Sequence, residues 1–130
     1  MIHVLDASAA VEFLLKTPVG ARVETVTLRS RRLVPELFDA EVLSVLRRLV
    51  LSSSVSLALA NSALQELQTW RLTRLRHRDL VAAAWALRHR VSAYDAFYLA
   101  AAMRHGAIVV TADGRLSRAN VPGVTIHNIR

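Results

Sequence analysis

Cysteine is absent from this chain, so neither a disulfide nor a thiolate-held metal can contribute to it. Aromatic residues make up only 5% of the sequence, against 53% hydrophobic residues in all, so the core has to be built from Ala, Val, Leu and Ile. The few aromatics, Trp70, Trp85, Tyr94, Phe97 and Tyr98 among them, are scattered through helical segments and do not interleave into a platform for stacking bases. No apolar run is long enough to span a membrane. The longest, Leu49 to Leu64, is broken by Ser52, Ser53, Ser54, Ser56, Asn61 and Ser62, where a spanning helix needs about 20 predominantly apolar residues. Met1 leads straight into Ile2 to Leu5 without a basic region, and Asp6 and Glu12 interrupt the hydrophobic stretch, so the start reads as a buried strand and not as a signal peptide. The expectation is a protein of the reducing cytoplasm, without a membrane anchor.

Lysine occurs once, at Lys16, yet the net charge is +7, because sixteen of the seventeen basic side chains are arginine. A positive field speeds encounter with polyanions, and the arginine fork grips phosphate through two hydrogen bonds. A nucleic acid is the partner class that fits. A GC-rich coding sequence also favours Arg over Lys, so the sign of the charge carries more weight than the choice of cation.

The 130 residues suit one domain, taken as 1–130, with no internal repeat or linker. Apolar runs at Ile2 to Leu5, Arg32 to Val34, Leu72 to Leu75, Ala107 to Val110 and Val124 to Ile129 read as five strands. Between them the apolar spacing predicts helices over Ser8 to Lys16, from Thr17-Pro18 to about Arg31, from Pro35 to the Ser52 to Ser54 run, over Val55 to Trp70, over His77 to Arg90, and from Ser92 to about His105. Gly106 is the expected stop of the last of these, and a short helix is expected over Gly114 to Ala119. Strands alternating with helices imply right-handed crossovers and a mostly parallel sheet, an α/β fold.

Ligands of such sheets gather outside the carboxyl ends of the strands. Asp6 ends the first strand and Asp113 comes just after the fourth, in Thr111-Ala112-Asp113-Gly114. Asp95 falls in the first turn of the helix that feeds the fourth strand, and Glu41 lies inside the Pro35 helix with Leu37 and Val45 one turn to either side. Each acid has a plainer explanation. Asp6 can cap the next helix, Asp113 can cap the helix after Gly114, and Ser92 to Asp95 is a fair capping box. Glu41 has the weakest structural excuse, with no basic residue three or four positions before it. Taken together, carboxylates gathered at one edge repel, and hard divalent cations relieve that repulsion. An all-oxygen site without cysteine, and with no histidine placed to join it, suits Mg2+ or Mn2+ rather than Zn2+. His3, His77, His89, His105 and His127 all read as structural. Ser8 and Thr111 stand two residues from Asp6 and Asp113, where their hydroxyls reach a metal-bound water, a phosphate or only local backbone groups, and Arg47, Arg115 and Arg118 are candidate phosphate contacts.

Two other doubly wound classes are disfavoured. A phospho-acceptor receiver wants an acidic pair after the first strand and a lysine after a late one, but Asp6 stands alone and Lys16 is the only lysine. Enzymes that use Asp-x-Asp after the first strand are disfavoured by Ser8 at the third position.

Four segments, Val4-Leu5-Asp6-Ala7-Ser8, Pro35-Glu36-Leu37 leading to Glu41-Val42 and Leu46-Arg47-Arg48, Tyr94-Asp95-Ala96-Phe97-Tyr98-Leu99-Ala100, and Val110-Thr111-Ala112-Asp113-Gly114-Arg115-Leu116, occur in this order across nearly the whole chain. In them the chain resembles a PIN domain, and within that family the VapC type of toxin from prokaryotic toxin-antitoxin pairs. The resemblance implies a three-layer α/β/α sandwich with a five-stranded parallel sheet and Mg2+- or Mn2+-dependent cleavage of RNA. It also implies a homodimer, and inhibition by a cognate antitoxin whose tail reaches into the acidic cleft. On this reading Asp6, Asp95 and Asp113 hold the metal, Glu41 completes the catalytic set or orients the nucleophile, and Ser8, Thr111 and Arg115 support the site or the phosphate. The rival reading is an RNA-binding or regulatory domain that keeps the fold without turnover, and retention of all four acids argues against it.

Overall fold

The computed structural model describes residues 1–130. Its first strand, β1 (Ile2–Leu5), is buried through Leu5 and feeds helix α1 (Ala7–Leu14), whose Ala9, Ala10 and Leu14 are almost wholly covered. Thr17 caps α2 (Pro18–Val26) by accepting the Gly20 N–H at 3.0 Å, with Pro18 at the first helical position where its missing N–H loses nothing. Strand β2 (Arg31–Pro35), the long helix α3 (Leu37–Leu51), helix α4 (Leu57–Thr69) and strand β3 (Thr73–Leu75) come next. A 3-10 turn (His77–Asp79) and the short helix α5 (Val81–Ala86) lead to α6 (Ala93–His105), and the chain ends through β4 (Ile108–Thr111), α7 (Gly114–Ser117) and β5 (Ile126–Asn128).

The five strands form one sheet in the order β3-β2-β1-β4-β5, and every pairing is parallel. The chain winds outward from β1 to β3 on one side, then crosses to lay β4 and β5 on the other. Strand order therefore reverses between β1 and β4, which opens a crevice at their carboxyl ends. The Asp6 N–H donates to the Val110 carbonyl at 2.9 Å, so the residue that ends β1 is held beside β4 at that crevice. No helix is long and apolar enough to cross a membrane.

Element boundaries depart from the sequence expectation in four places. Pro35 closes β2 instead of opening a helix; it lies opposite Leu75, and the next N–H, that of Glu36, donates to the Leu75 carbonyl at 3.1 Å. The start of α3 is capped instead by His77, whose Nε2 accepts the Leu37 N–H at 2.8 Å while the Glu36 carboxylate accepts the His77 N–H at 2.7 Å. This exchange holds residues 77–79 in a 3-10 turn, so the helix expected over His77 to Arg90 starts only at Val81; it ends at Ala86, where the Leu87 and Arg88 N–H groups bond three residues back, and Arg88, His89 and Arg90 lie beyond it. The helix after Thr17 stops at Val26, where the Thr27 hydroxyl bonds back to the Val23 carbonyl at 2.7 Å, and Arg29 takes a φ of +58° that no helix continues. The last strand is shorter than expected, three residues in all. Gly106 behaves as expected, ending α6 at a φ of +62°.

His3 is the buried histidine of β1, 3% exposed, with Nδ1 2.6 Å from the Ser30 hydroxyl. Burial pushes its pKa below the ordinary 6.5, and the neighbouring His127, amino terminus and Arg32 push in the same direction. The folded chain thus resists a proton that the unfolded chain accepts, so the stability contributed by neutral His3 is complete above about pH 6.5 and is lost as pH falls below it toward the depressed folded value. In denaturant unfolding followed at pH 7.5 and 5.5, the wild-type advantage over His3→Asn is expected to shrink at the lower pH. An advantage that is the same at both pH values would contradict this coupling.

Candidate active site

Asp6, Glu41, Asp95 and Asp113 come together. They line one cleft of about 470 Å3 at the β1–β4 crevice, with Ser8, Ala112 and Arg115 in its wall. Each arrives on a different element: Asp6 at the end of β1, Glu41 on α3, Asp95 in the first turn of α6 and Asp113 on the loop between β4 and α7.

Asp6 is 7% exposed, and its carboxylate does not cap α1. Its Oδ2 instead accepts the Ser8 hydroxyl at 2.7 Å and the Thr111 hydroxyl at 2.8 Å. Those two hydroxyls in turn accept the Ala112 and Asp113 N–H groups, both at 2.9 Å. Ser8 and Thr111 therefore spend their single protons on Asp6 and tie it to the β4–α7 loop; they orient a carboxylate and keep no proton for a phosphate. Asp113 caps the turn after it, accepting the Arg115 N–H at 2.8 Å, so its plainer reading holds as well. Ser92 caps α6 by accepting the Asp95 N–H at 3.2 Å.

Glu41 is half-buried, and its partner is one that spacing along α3 does not show. The buried Tyr98 of α6 donates its phenolic proton to Glu41 Oε1 at 2.6 Å. Burial raises the Tyr98 phenol above its ordinary range, and the adjoining Glu41 carboxylate adds to that, so the hydroxyl remains a donor. Tyr98→Phe leaves a half-buried carboxylate oxygen without its donor and is expected to cost about 1–3 kcal/mol of stability, measured by urea unfolding, with the fold retained. A loss below a few tenths would mean that water replaces the phenol freely.

The carboxylates feel one another. Asp6, Glu41 and Asp95 are all pushed above the usual carboxylate range, chiefly by burial, with the Asp95 charge adding at Asp6, the Asp6 and Asp95 charges at Glu41, and the Asp113 charge at Asp95. Opposing this at Asp95 is Arg115, whose Nη2 lies 3.6 Å from Asp95 Oδ2 and 3.7 Å from Asp113 Oδ2. A guanidinium on a flexible, 72% exposed side chain thus sits loosely between two acids, where a cation is favoured. The four acids share the cleft without closing into a tight ligand group of three or more. That is the arrangement expected of like charges, since two carboxylates 4 Å apart repel by about 4 kcal/mol at an effective dielectric near 20. The donor set itself, oxygen throughout and without His or Cys in the cleft wall, fits a hard divalent cation such as Mg2+ or Mn2+.

Three polar residues of the cleft have no role in the sequence reading: Ser44, Arg48 and Arg130. Ser44 and Arg48 stand three and seven positions after Glu41, so helical spacing carried the signal for both. For Arg130 no local pattern exists. Its guanidinium donates to the Ala112 carbonyl at 2.7 Å and to Glu12 Oε1 at 2.8 Å, across more than a hundred residues in the latter case.

Residues 3–122 match the PIN domain. Ribonuclease VapC3 of Mycobacterium tuberculosis is 38% identical over 119 residues, spanning 89% of this chain and 85% of that protein. Among solved structures, VapBC2 from Rickettsia felis bound to a DNA fragment from its promoter superposes with a TM-score of 0.70 over 98% of each chain, at 18% identity. A toxin-antitoxin complex from Klebsiella pneumoniae does so at 0.66, likewise over 98% of each chain, at 15% identity. The structural likenesses speak for the fold, and the sequence match for descent: the chain belongs to the PIN domain family.

Proposed function

We propose that this chain is a divalent-cation-dependent endoribonuclease, the toxin of a toxin-antitoxin pair, and that Asp6, Glu41, Asp95 and Asp113 are its catalytic carboxylates. The observation that carries the reading is the meeting of four acids from four elements in one cleft at the point where strand order reverses. Descent supports it, since the mycobacterial relative is named a ribonuclease.

Asp6, Asp95 and Asp113 would hold Mg2+ or Mn2+. Bound there, the cation supplies Lewis acidity to a phosphodiester and makes water a better nucleophile at neutral pH. Ser8 and Thr111 fix the Asp6 carboxylate in one orientation, which spares reorganisation when the RNA binds. Tyr98 fixes Glu41, whose remaining oxygen is then directed for orienting a nucleophile or completing the ligand set. Arg115, loosely held between Asp95 and Asp113 on an exposed side chain, would be the guanidinium nearest a phosphate brought to those acids. The non-catalytic alternative leaves these carboxylates unexplained, because a phosphate-binding cleft gains nothing from four negative charges.

A cognate antitoxin is the protein partner in this reading. The exposed face between α3 and α4 forms an apolar groove of about 420 Å3 lined by Leu43, Leu46, Val50, Leu51, Leu57 and Leu64. Ser44 borders both this groove and the acidic cleft, so an apolar segment seated in the groove can send its tail to the carboxylates. A homodimer completes the assembly, and the exposed Val81 and Trp85, which line one apolar recess with Ala84 and Phe97, provide a surface for it. The cytoplasm is the proposed site of action.

The deciding experiment is cleavage of total RNA by purified protein with Mg2+ or Mn2+, with EDTA, and by Asp95→Asn. Cutting that needs the cation and is absent from the variant supports the nuclease. Cutting that survives EDTA, or that persists at the parent rate in Asp95→Asn, overturns it.

A further inference from the structure

The acidic cleft has a second neighbour besides the apolar groove. A pocket of about 460 Å3 is lined by Arg88, His89, Arg90, Arg115 and Arg118, with Asp95 as its only acid. Arg115 and Asp95 belong to both the pocket and the cleft, so the two spaces share a wall. Of the arginines in the pocket only Arg115 makes an ion pair; Arg88, Arg90 and Arg118 make none. Two of these are tethered by neutral partners: Arg88 Nη1 donates to the Trp85 carbonyl at 3.1 Å, and Arg90 Nη1 to the Asn120 carbonyl at 2.8 Å. The Arg88 guanidinium also lies over the Trp85 ring, 5.0 Å from its centre, so both groups are held in place without an acid to pair with. The Arg118 guanidinium lies over Gly114, with Nη1 only 3.1 Å from where a side chain there would begin, against the turn that carries Asp113.

Resting on the nuclease reading, we propose that this pocket is a phosphate subsite for the RNA strand: Arg88, Arg90 and Arg118 grip a phosphate flanking the bond that is cut, and the strand passes over Arg115 from one space to the other. Charge decides between RNA and an acidic peptide. A strand whose cleaved phosphate is at the carboxylates must place its neighbouring phosphates along the adjoining wall, and this wall carries the uncompensated positive charge. The apolar groove adjoins the cleft through Ser44 and does not line the basic pocket, so peptide and RNA leave the cleft by different sides.

The test uses a mixed-sequence single-stranded RNA bound to the full chain carrying Asp6→Asn to prevent cutting, with affinity followed against salt. Arg90→Gln/Arg118→Gln is added in one arm. In the control arm it is Arg31→Gln/Arg104→Gln, two exposed arginines without ion pairs at the opposite end of the strands and of α6. The pocket pair is expected to weaken binding by about tenfold or more at low salt and to flatten the slope of log K against log salt by about 0.7 per lost contact. The control pair should change the slope by much less. Equal losses in both arms would reduce the pocket to a share of the general positive field and overturn the proposal. So would unchanged RNA affinity in the pocket arm accompanied by weaker binding of a poly-glutamate peptide, which would assign the pocket to an acidic peptide. Cleavage by the parent chain with and without the cation is run alongside. A parent that cuts while the two arms match refutes the subsite alone, and a parent that neither cuts nor binds RNA refutes the nuclease reading.

Discussion

Asp6→Asn is expected to lose RNA cleavage by at least about a hundredfold, the scale seen when one well-placed electrostatic group is removed from a reaction site, and to melt at a higher temperature than the parent in metal-free buffer. The two effects have one cause. Asp6 is buried to 7% exposure and shares its cleft with three other carboxylates, so ionising it is opposed by desolvation first and then by the charge of Asp95. The Ser8 and Thr111 hydroxyls offset part of this, and an asparagine oxygen accepts the same two protons without the charge. Each kcal/mol of relief should raise the melting temperature by about 3–6 °C for a chain of this size. Scanning calorimetry in EDTA beside an RNA cleavage assay reads both. A variant that melts lower while cutting at the parent rate would mean that Asp6 serves only to tie Ser8 and Thr111 together and is not part of a strained, functional cluster.

Gly20→Ala should be among the most destabilising single substitutions in the chain. Gly20 is buried where α2 packs on α1, and a methyl group there would land on the carbonyl carbon and oxygen of Glu12 and 2.5 Å from the backbone nitrogen of Phe13. The clash is with backbone, which has no rotamer to escape into, so the helices must part. Overpacking of this kind costs about 1–3 kcal/mol and more where the obstacle is rigid, so a loss near the top of that range or beyond it is expected. Alanine is the better helix former by about 1 kcal/mol at an unhindered site, so the intrinsic preference works in the opposite direction. Urea unfolding separates the two: a stabilised variant would show that α2 moves off α1 without loss.

The legible parts of this molecule were those written locally. Asp6 and Asp113 could be placed because each comes after a short apolar run that the sheet buries on both faces, and Asp95 because Ser92 marks the start of α6. Glu41 stood out as an acid among apolar neighbours without a helical partner; its actual partner, Tyr98, is 57 residues away. Long-range pairings defeated local reading elsewhere too. The proline rule put a helix start at Pro35, but pairing with β3 makes that residue a strand end, and the cap of α3 comes from His77. The same histidine removes the first turn of the helix that Ala-rich periodicity carries on to Arg90, and that helix ends at Ala86 in turns where the Leu87 and Arg88 N–H groups bond three residues back. Ser8 and Thr111 stand out in the sequence by their proximity to acids, and the structure shows that their protons go to Asp6. Of the basic pocket the sequence offers Arg115 and Arg118 as phosphate candidates, but not their meeting with Arg88, His89 and Arg90, which lie behind α5, earlier in the chain.

Whether the carboxylates act as one cation site is tested most directly by thermal unfolding across a Mn2+ titration. Binding to the folded chain alone raises its stability with the logarithm of ligand concentration above the dissociation constant. The melting temperature of the parent should climb steadily with Mn2+, and Asp6→Asn, Asp95→Asn and Asp113→Asn should each start higher and climb much less. A parent that does not respond to Mn2+ or Mg2+, or variants that climb as steeply as the parent, would contradict the assignment of these acids to a metal site.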